Sequence, residues 1–351
     1  MLGKQEDIYT EFISHYKEKV VTCAEDSPMQ GFEYFDCREY RTKINDNTPL
    51  IVKKLTSNGV KGFFSVAKIM KGCMGMMLKA TNRSYKELEP YLSDLEKGKA
   101  VERTEHPLLA DYPNKDLWDE LNRYAWDRWR ILLGFTELTD QFVFKGKSVL
   151  FSHALVCIQE MDKEKIDQAP DYPAGEEVLG VYRDLGVAVN DIALWLRTRG
   201  IRSQANHPLG GLTNTSPLAA KAGMGWQGCN GLLITPQFGQ RLRIAPVFIE
   251  GQFFEYTDSR EHDWIEAFCA KCGKCLRSCP TGAIYKEKVD SQRDVPGIDS
   301  IRTCIDREKC FPYFNKTLGC SVCVKVCPFS QGPDRYEKLK KATLRTKSQS
   351  R

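Results

Sequence analysis

The chain has 351 residues, 42% hydrophobic and 28% charged, enough to bury a core, which excludes a disordered or fibrous protein. Its formal net charge of +5 is concentrated after residue 330, where seven Lys/Arg stand against two Asp/Glu. The remainder is electrically balanced, which speaks against nucleic acid as a partner.

The opening "MLGKQEDIYTEF" has no apolar export core, which predicts a cytoplasmic protein. Residues 1–130 read as mostly helical. The stretch 62–80 is apolar but broken by Lys68, Lys71 and Lys79, which fits an amphipathic core helix and excludes a transmembrane segment. Peripheral contact with a membrane surface stays open there. Further helices are expected at 84–99 and 114–134, the latter with Trp118, Trp126 and Trp129 as packing anchors. Residues 147–158 are rich in β-branched and aromatic side chains and read as a strand. Residues 173–201 read as one long helix closed by Gly200. The glycine-rich "GMGWQGCNG" (223–231) follows, then strands at 232–235 and 243–250 joined by the turn "PQFG". This mixture is an α+β fold. Boundaries are expected at 1–130, 131–260 and 261–332, with 333–351 a basic, flexible tail that starts as a solvated helix end.

Fourteen cysteines in a chain without an export signal favour metal ligation over disulfides. Cys269, Cys272, Cys275 and Cys279, followed by Pro280, make a C-x2-C-x2-C-x3-C-P run. Cys320, Cys323 and Cys327 precede Pro328, with Cys310 upstream. Zinc sites use paired knuckles and need no such run, whereas bacterial ferredoxins holding two 4Fe–4S clusters show this spacing, each run's last cysteine ligating the other cluster. That crossed rule gives cluster one Cys269, Cys272, Cys275 and Cys327, and cluster two Cys310, Cys320, Cys323 and Cys279. Cys304, six residues before Cys310, is the alternative fourth ligand; Cys310 is favoured because it lies closer to the pair it must join. The segment has too few large apolar residues to fold without its clusters. It reads as a wire, and the long stretch before it as the catalytic or acceptor-binding domain.

The stretch "SPLAAKAGMGWQGCNGLLITPQFGQRLRIAPVF" (216–248) with the cysteine segment resembles the cobalamin-dependent iron–sulfur reductases, which comprise reductive dehalogenases and epoxyqueuosine reductases. Residues 133–150 and 161–205 extend the likeness to about 130–330. The resemblance implies a nitroreductase-like α+β domain binding cobalamin base-off, followed by a ferredoxin-like dicluster domain. "AGMGWQG" with Asn230 is similar to the epoxyqueuosine reductases, which carry lysine at the place of Cys229 and a catalytic "DYH" that is missing here. "WLRTRGI" and "GQRLRIAPVF" look more like the dehalogenases, whose catalytic tyrosine and later basic residue match Tyr182 and Arg243 or Arg241.

Those residue types suit the chemistry. A tyrosine, with a free pKa near 10, can donate the proton of a reductive cleavage, and a guanidinium stabilises the phenolate left behind. The competing readings are a packing tyrosine and strand-edge ion pairs. Gly223, Gly225 and Gly228 would let backbone approach a flat macrocycle, or simply turn the chain between helix and strand. The loop opens onto a strand, so it is no dinucleotide site. Cys229 reads as a small buried hydrophobe or a cofactor-facing residue. "ANHPLGG" has Ala205 where a cobalt-binding motif needs aspartate, so His207 is not expected to bind cobalt. His15, His106, His153 and His262 show no ligand spacing and read as structural or exposed.

The leading expectation is a corrinoid- and iron–sulfur-dependent reductase of dehalogenase type. It would act on a small organic substrate and take electrons from a low-potential donor such as ferredoxin or flavodoxin. The alternatives are an epoxyqueuosine reductase-like enzyme and a non-catalytic electron-transfer or corrinoid-reducing partner protein.

Overall fold

The computed structural model describes residues 21–22, 113–143, 148–149, 151–206, 208, 212–289, 303–317 and 319–349. The helices expected at 62–80 and 84–99, like His15, His106 and His207, lie outside these residues.

Helix α1 (Lys115–Trp129) starts where the Asn114 side chain accepts the Leu117 N–H at 2.8 Å, and buries Leu117, Leu121 and Ala125. It stops at Arg130, whose left-handed φ of 55° breaks the spiral. The helix expected to run to 134 therefore ends five residues early, and Ile131–Glu137 form strand β1. A short apolar run bounded on one side by a helix cannot be told from more helix by periodicity. Of the three tryptophans, Trp118 packs on Phe254 and the Trp129 indole N–H donates to Asp191 at 2.8 Å. Trp126 is 40% exposed, with Arg130 over its ring, and anchors nothing.

Strand β2 (His153–Glu160) follows; among the described residues Ser148–Val149 are also extended, but 151 and 152 lie outside any strand, so the single strand expected at 147–158 is interrupted. Helix α2 (Tyr172–Arg197) matches its expected long helix. Then come β3 (Ser203–Ala205), α3 (Thr215–Lys221), β4 (Trp226–Gln227), β5 (Leu233–Ile234) and β6 (Leu242–Ile249). The strand order is β1-β2-β6-β3, antiparallel throughout. Alternation along the strands divides the core into two layers. Leu155, Cys157, Ala245 and Val247 meet Leu185, Val189, Ile192 and Leu196 of α2. Ala154, Val156, Ile158 and Phe248 meet Leu218 and Ala219 of α3 on the opposite face. β5 pairs with β4 rather than with β6, so the two strands flanking "PQFG" belong to different sheets.

The cysteine segment contains α4 (Trp264–Cys272), α5 (Lys274–Ser278), β7 (Ile284–Val289), β8 (Thr303–Ile305), α6 (Arg307–Lys316) and α7 (Val322–Lys325). It packs on α2 through Gly319, where an added Cβ would press on Val178 at 3.0 Å. Residues 333–349, expected as a flexible tail, form helix α8 (Pro333–Gln349). Tyr336 and Leu339 are buried against Trp264 and Phe329, so apolar docking holds what charge composition alone suggested was loose.

Candidate redox site

Helix α4 carries Cys269 and Cys272, α5 carries Cys275, and Cys279 caps the end of α5. Gly273, with a left-handed φ of 54°, turns the chain between the two helices. Cys310 lies on α6, Cys320 before α7, Cys323 on α7, and Cys327 at the start of a 3-10 turn. Two groups of sulfur result. Cys269 and Cys275 each feel the charge of Cys327, and Cys327 that of Cys272; Cys275 also feels Cys323, so the first group adjoins the second. Cys310 feels Cys279 and Cys320, while Cys323 feels Cys320, Cys310 and Cys279. No described cysteine is in a disulfide. Among the described residues no three cysteine, histidine or carboxylate side chains close round the point a single ion would occupy.

Burial pushes the thiols of Cys323 and Cys327 up to about 12 and that of Cys310 up to about 11, neighbouring cysteines adding to all three shifts. At Cys279 burial acts in the same direction, but hydrogen bonds from Thr281 and the backbone N–H of Ala283 outweigh it and lower the value. Cys304 is buried against Gly231, its Cβ 3.2 Å from the place a Cβ on that glycine would take.

Odd-numbered residues of β6 face α2, and this brings Arg243 to Tyr182. The guanidinium carbon lies 4.8 Å from the centre of the tyrosine ring. Arg243 donates through Nη1 to the Leu242 carbonyl at 3.1 Å, while its Nε is buried without a partner. Gln159 stands opposite Arg243 in the β2–β6 register. Its Nε2 donates to the Trp129 carbonyl at 3.0 Å, and its Oε1 is also buried without a partner. An unsatisfied donor and acceptor on paired residues mark a place that suits a polar ligand group. Tyr182 itself is half-buried in the apolar cluster that includes Val178, Val181, Val324 and Cys323.

Arg241 points elsewhere. Only 4% exposed, it donates through Nε to the Ser330 carbonyl at 2.8 Å, and through Nη1 to Glu160 at 2.7 Å and the Met161 carbonyl at 2.8 Å. It ties the start of β6 to the end of β2 and to the turn after Cys327. Of the two arginines singled out in the sequence, Arg243 alone is placed over Tyr182.

The glycine loop is filled by the protein itself. Gly223 has φ 69°, and a Cβ there would collide with the Thr257 carbonyl; one on Gly225 would collide with the Ile234 carbonyl. At Gly228 a Cβ would meet the Gln240 amide at 2.9 Å. These close approaches are what a tight turn between helix and strand asks of its glycines. Asn230 is fully buried and exchanges two hydrogen bonds with Gln240, at 3.0 and 2.7 Å. Its side chain also reaches the Cys323 thiol. Next to it, Cys229 Sγ lies 3.4 Å from Cys275 Sγ. Its hydrogen bonding, together with burial, pushes both Cys269 and Cys275 well above the ordinary thiol range. Cys229 is thus neither an isolated hydrophobe nor remote from the motif. No spacing rule links it to cysteines forty residues on, so only the fold could reveal it. Of the histidines, His262 meets the Tyr336 hydroxyl at 2.7 Å and His153 that of Tyr256 at 3.0 Å, both structural contacts.

Comparison with known proteins agrees with this layout. Residues 268–330 match the family described as 4Fe-4S double cluster binding domain. A tetrachloroethene reductive dehalogenase of Desulfitobacterium hafniense is 34% identical over 196 residues, 54% of this chain and 34% of the relative. An epoxyqueuosine reductase of Listeria monocytogenes is 29% identical over 118 residues, 33% of this chain and 30% of the relative. The chain thus spans about a third of the length of these relatives. Among solved structures, one described as a reductive dehalogenase that suggests a mechanism for B12-dependent dehalogenation superposes with a TM-score of 0.55 at 18% identity. That match covers 67% of this chain and 34% of the other, and shows a shared fold. No helix of the described residues is long and apolar enough to cross a membrane. The chain is therefore a homologue of both the reductive dehalogenases and the epoxyqueuosine reductases, and its residues 268–330 form a 4Fe-4S double cluster binding domain.

Proposed function

We propose that this chain is an oxidoreductase of reductive dehalogenase type, which cleaves a carbon–leaving-group bond of a small organic substrate with two electrons and one proton. The observation that carries the reading is the Arg243 guanidinium held over Tyr182 beside the cysteine segment. In this reading cluster one is held by Cys269, Cys272, Cys275 and Cys327, and cluster two by Cys310, Cys320, Cys323 and Cys279. The eight thiols fit such clusters, since they lie in two groups and no described cysteine is bridged to another. Cys304, packed on Gly231, is left out of the ligand set. The domain over 131–260 would be the nitroreductase-like corrinoid domain, with Arg243 Nε and Gln159 Oε1 as the unpaired groups suited to a cofactor or substrate bound against Tyr182. When bound, the clusters supply electrons singly from a low-potential ferredoxin- or flavodoxin-like donor and a base-off corrinoid supplies a metal centre at which two can be combined.

The protein's own residues manage the proton. The substrate's bond to its leaving group breaks, a bond to hydrogen forms, and the leaving group departs as an anion. The Tyr182 hydroxyl donates the hydrogen as a proton and recovers one from solvent afterwards. Arg243 keeps its charge throughout and stabilises the phenolate. Val178, Val181 and Val324 keep the tyrosine's surroundings apolar, which strengthens that charge interaction.

Anaerobic purification with and without added cobalamin tests the proposal. About eight irons and one corrinoid per chain, with halide released from halogenated aromatic or alkene substrates, are expected. Eight irons with no corrinoid affinity would make the chain an electron-transfer or corrinoid-reducing partner instead. The likeness to epoxyqueuosine reductases favours a second reading, that of a tRNA-modifying reductase. Binding of tRNA that weakens steeply with salt, together with no halide release, would establish it in place of the first.

A further inference from the structure

We propose that Cys229 is a fifth thiol of the cluster-one site, placed to take over ligation from Cys275. The inference rests on the dicluster reading above and goes beyond the eight-cysteine motif.

Four observations carry it. Cys229 Sγ lies 3.4 Å from Cys275 Sγ, so a metal atom bound to the second is within a small side-chain rotation of the first. Cys229 is also the first cause that raises the Cys269 thiol and adds to the shift of Cys327, in keeping with a place beside the cluster-one cysteines. Its backbone is clamped: Gly228 and Gly231 close a turn through a 2.9 Å hydrogen bond, and the buried Asn230–Gln240 pair pins the intervening residue. Finally, Asn230 reaches Cys323 of the other group, so one short turn from the front domain touches both sulfur groups through adjacent side chains.

Exchange of Cys275 for Cys229 is redox-neutral. The iron–sulfur bond to Cys275 breaks, one to Cys229 forms, and the proton released by Cys229 is taken up by Cys275. The ligand set can thus tie the cluster to the front domain, not only to its own segment. A thiol that is held beside the cluster without ligating it would still offer a hydrogen-bond donor to a cluster sulfur.

The test uses the full chain reconstituted without air, with iron and acid-labile sulfide counted per chain and the reduced clusters followed by electron paramagnetic resonance. Wild type, Cys275→Ser, and the Cys275→Ser/Cys229→Ser double variant are compared. The expected result is about eight irons in the wild type and in Cys275→Ser, the latter with an altered cluster signal, and at most about half that in the double variant. Loss of both clusters in the double variant alone would still assign the difference to Cys229. A single variant that already loses half its iron overturns the proposal, as does a double variant that keeps all eight. A wild type that binds no iron–sulfur cluster overturns the dicluster reading itself, an outcome the wild-type count reports before any variant is made.

Discussion

Arg243 and Tyr182, sixty-one positions apart in the chain, meet with the guanidinium carbon 4.8 Å from the ring centre. One comes from the start of a central strand, the other from the middle of the helix that covers that strand's face. In this arrangement a Tyr182→Phe variant is expected to lower turnover about 10²–10⁴-fold while iron and corrinoid content stay as in the wild type. Arg243→Gln should follow it, and Arg243→Lys should recover part of the activity, because the charge returns without the planar group. Single-turnover assays with metal analysis check this; normal turnover by Tyr182→Phe would remove the tyrosine from the mechanism.

Arg241 should behave as a structural residue. Its buried guanidinium joins Glu160 and two carbonyls, so Arg241→Met is expected to cost about 2–4 kcal/mol in denaturant unfolding. Glu160 is partly exposed, which keeps the loss below that of a fully buried pair. The reduction in turnover should track the fraction unfolded and nothing else.

Two glycines give opposite expectations for the same change. Gly225→Ala drives a methyl group into the Ile234 carbonyl and should abolish soluble, cluster-loaded protein. Gly180, inside α2, has no atom within 4 Å of the position a methyl group would take. Gly180→Ala should therefore raise stability by about 0.5–1 kcal/mol through the helix backbone. Thermal unfolding of the pair measures both.

His262 sets an acid limit. Burial lowers its basicity, a like charge on Lys340 acts the same way, and Glu261 opposes them. Since the folded protein disfavours the proton, the stability His262 contributes is present above the unfolded value of about 6.5 and is lost as pH falls below it. Unfolding midpoints between pH 7.5 and 5.5, values set about that unfolded pKa, should fall less steeply for His262→Gln than for the wild type. Equal slopes would show that other groups carry the effect.

Helix α8 is expected to be part of the folded body. Tyr336 is 1% exposed and packs on Trp264 and Phe329, with ring centres 5.3 and 5.7 Å away. Tyr336→Ala should cost about 3–5 kcal/mol and shift Trp264 fluorescence towards that of a hydrated indole. A variant as stable as the wild type would return the segment to the role of a loose tail.

The sequence by itself determined the cluster ligands' spacing, the long helix at 172–197 and the mixed α+β class. Each rests on a local period: cysteines set at ferredoxin intervals, apolar residues at helical spacing, and turn residues between them. Only the tertiary structure decided which of Arg241 and Arg243 faces Tyr182, because both are odd-numbered basic residues near one strand start and the choice depends on the turn before it. The same holds for Ile131–Glu137, whose apolar run suits helix or strand until the sheet claims it, and for α8, whose few apolar residues are outnumbered by charge yet place Tyr336 and Leu339 in a pocket of aromatic rings. Cys229 is the sharpest case: a thiol's chemistry depends on what lies within a few ångströms, and chain separation carries no record of that distance.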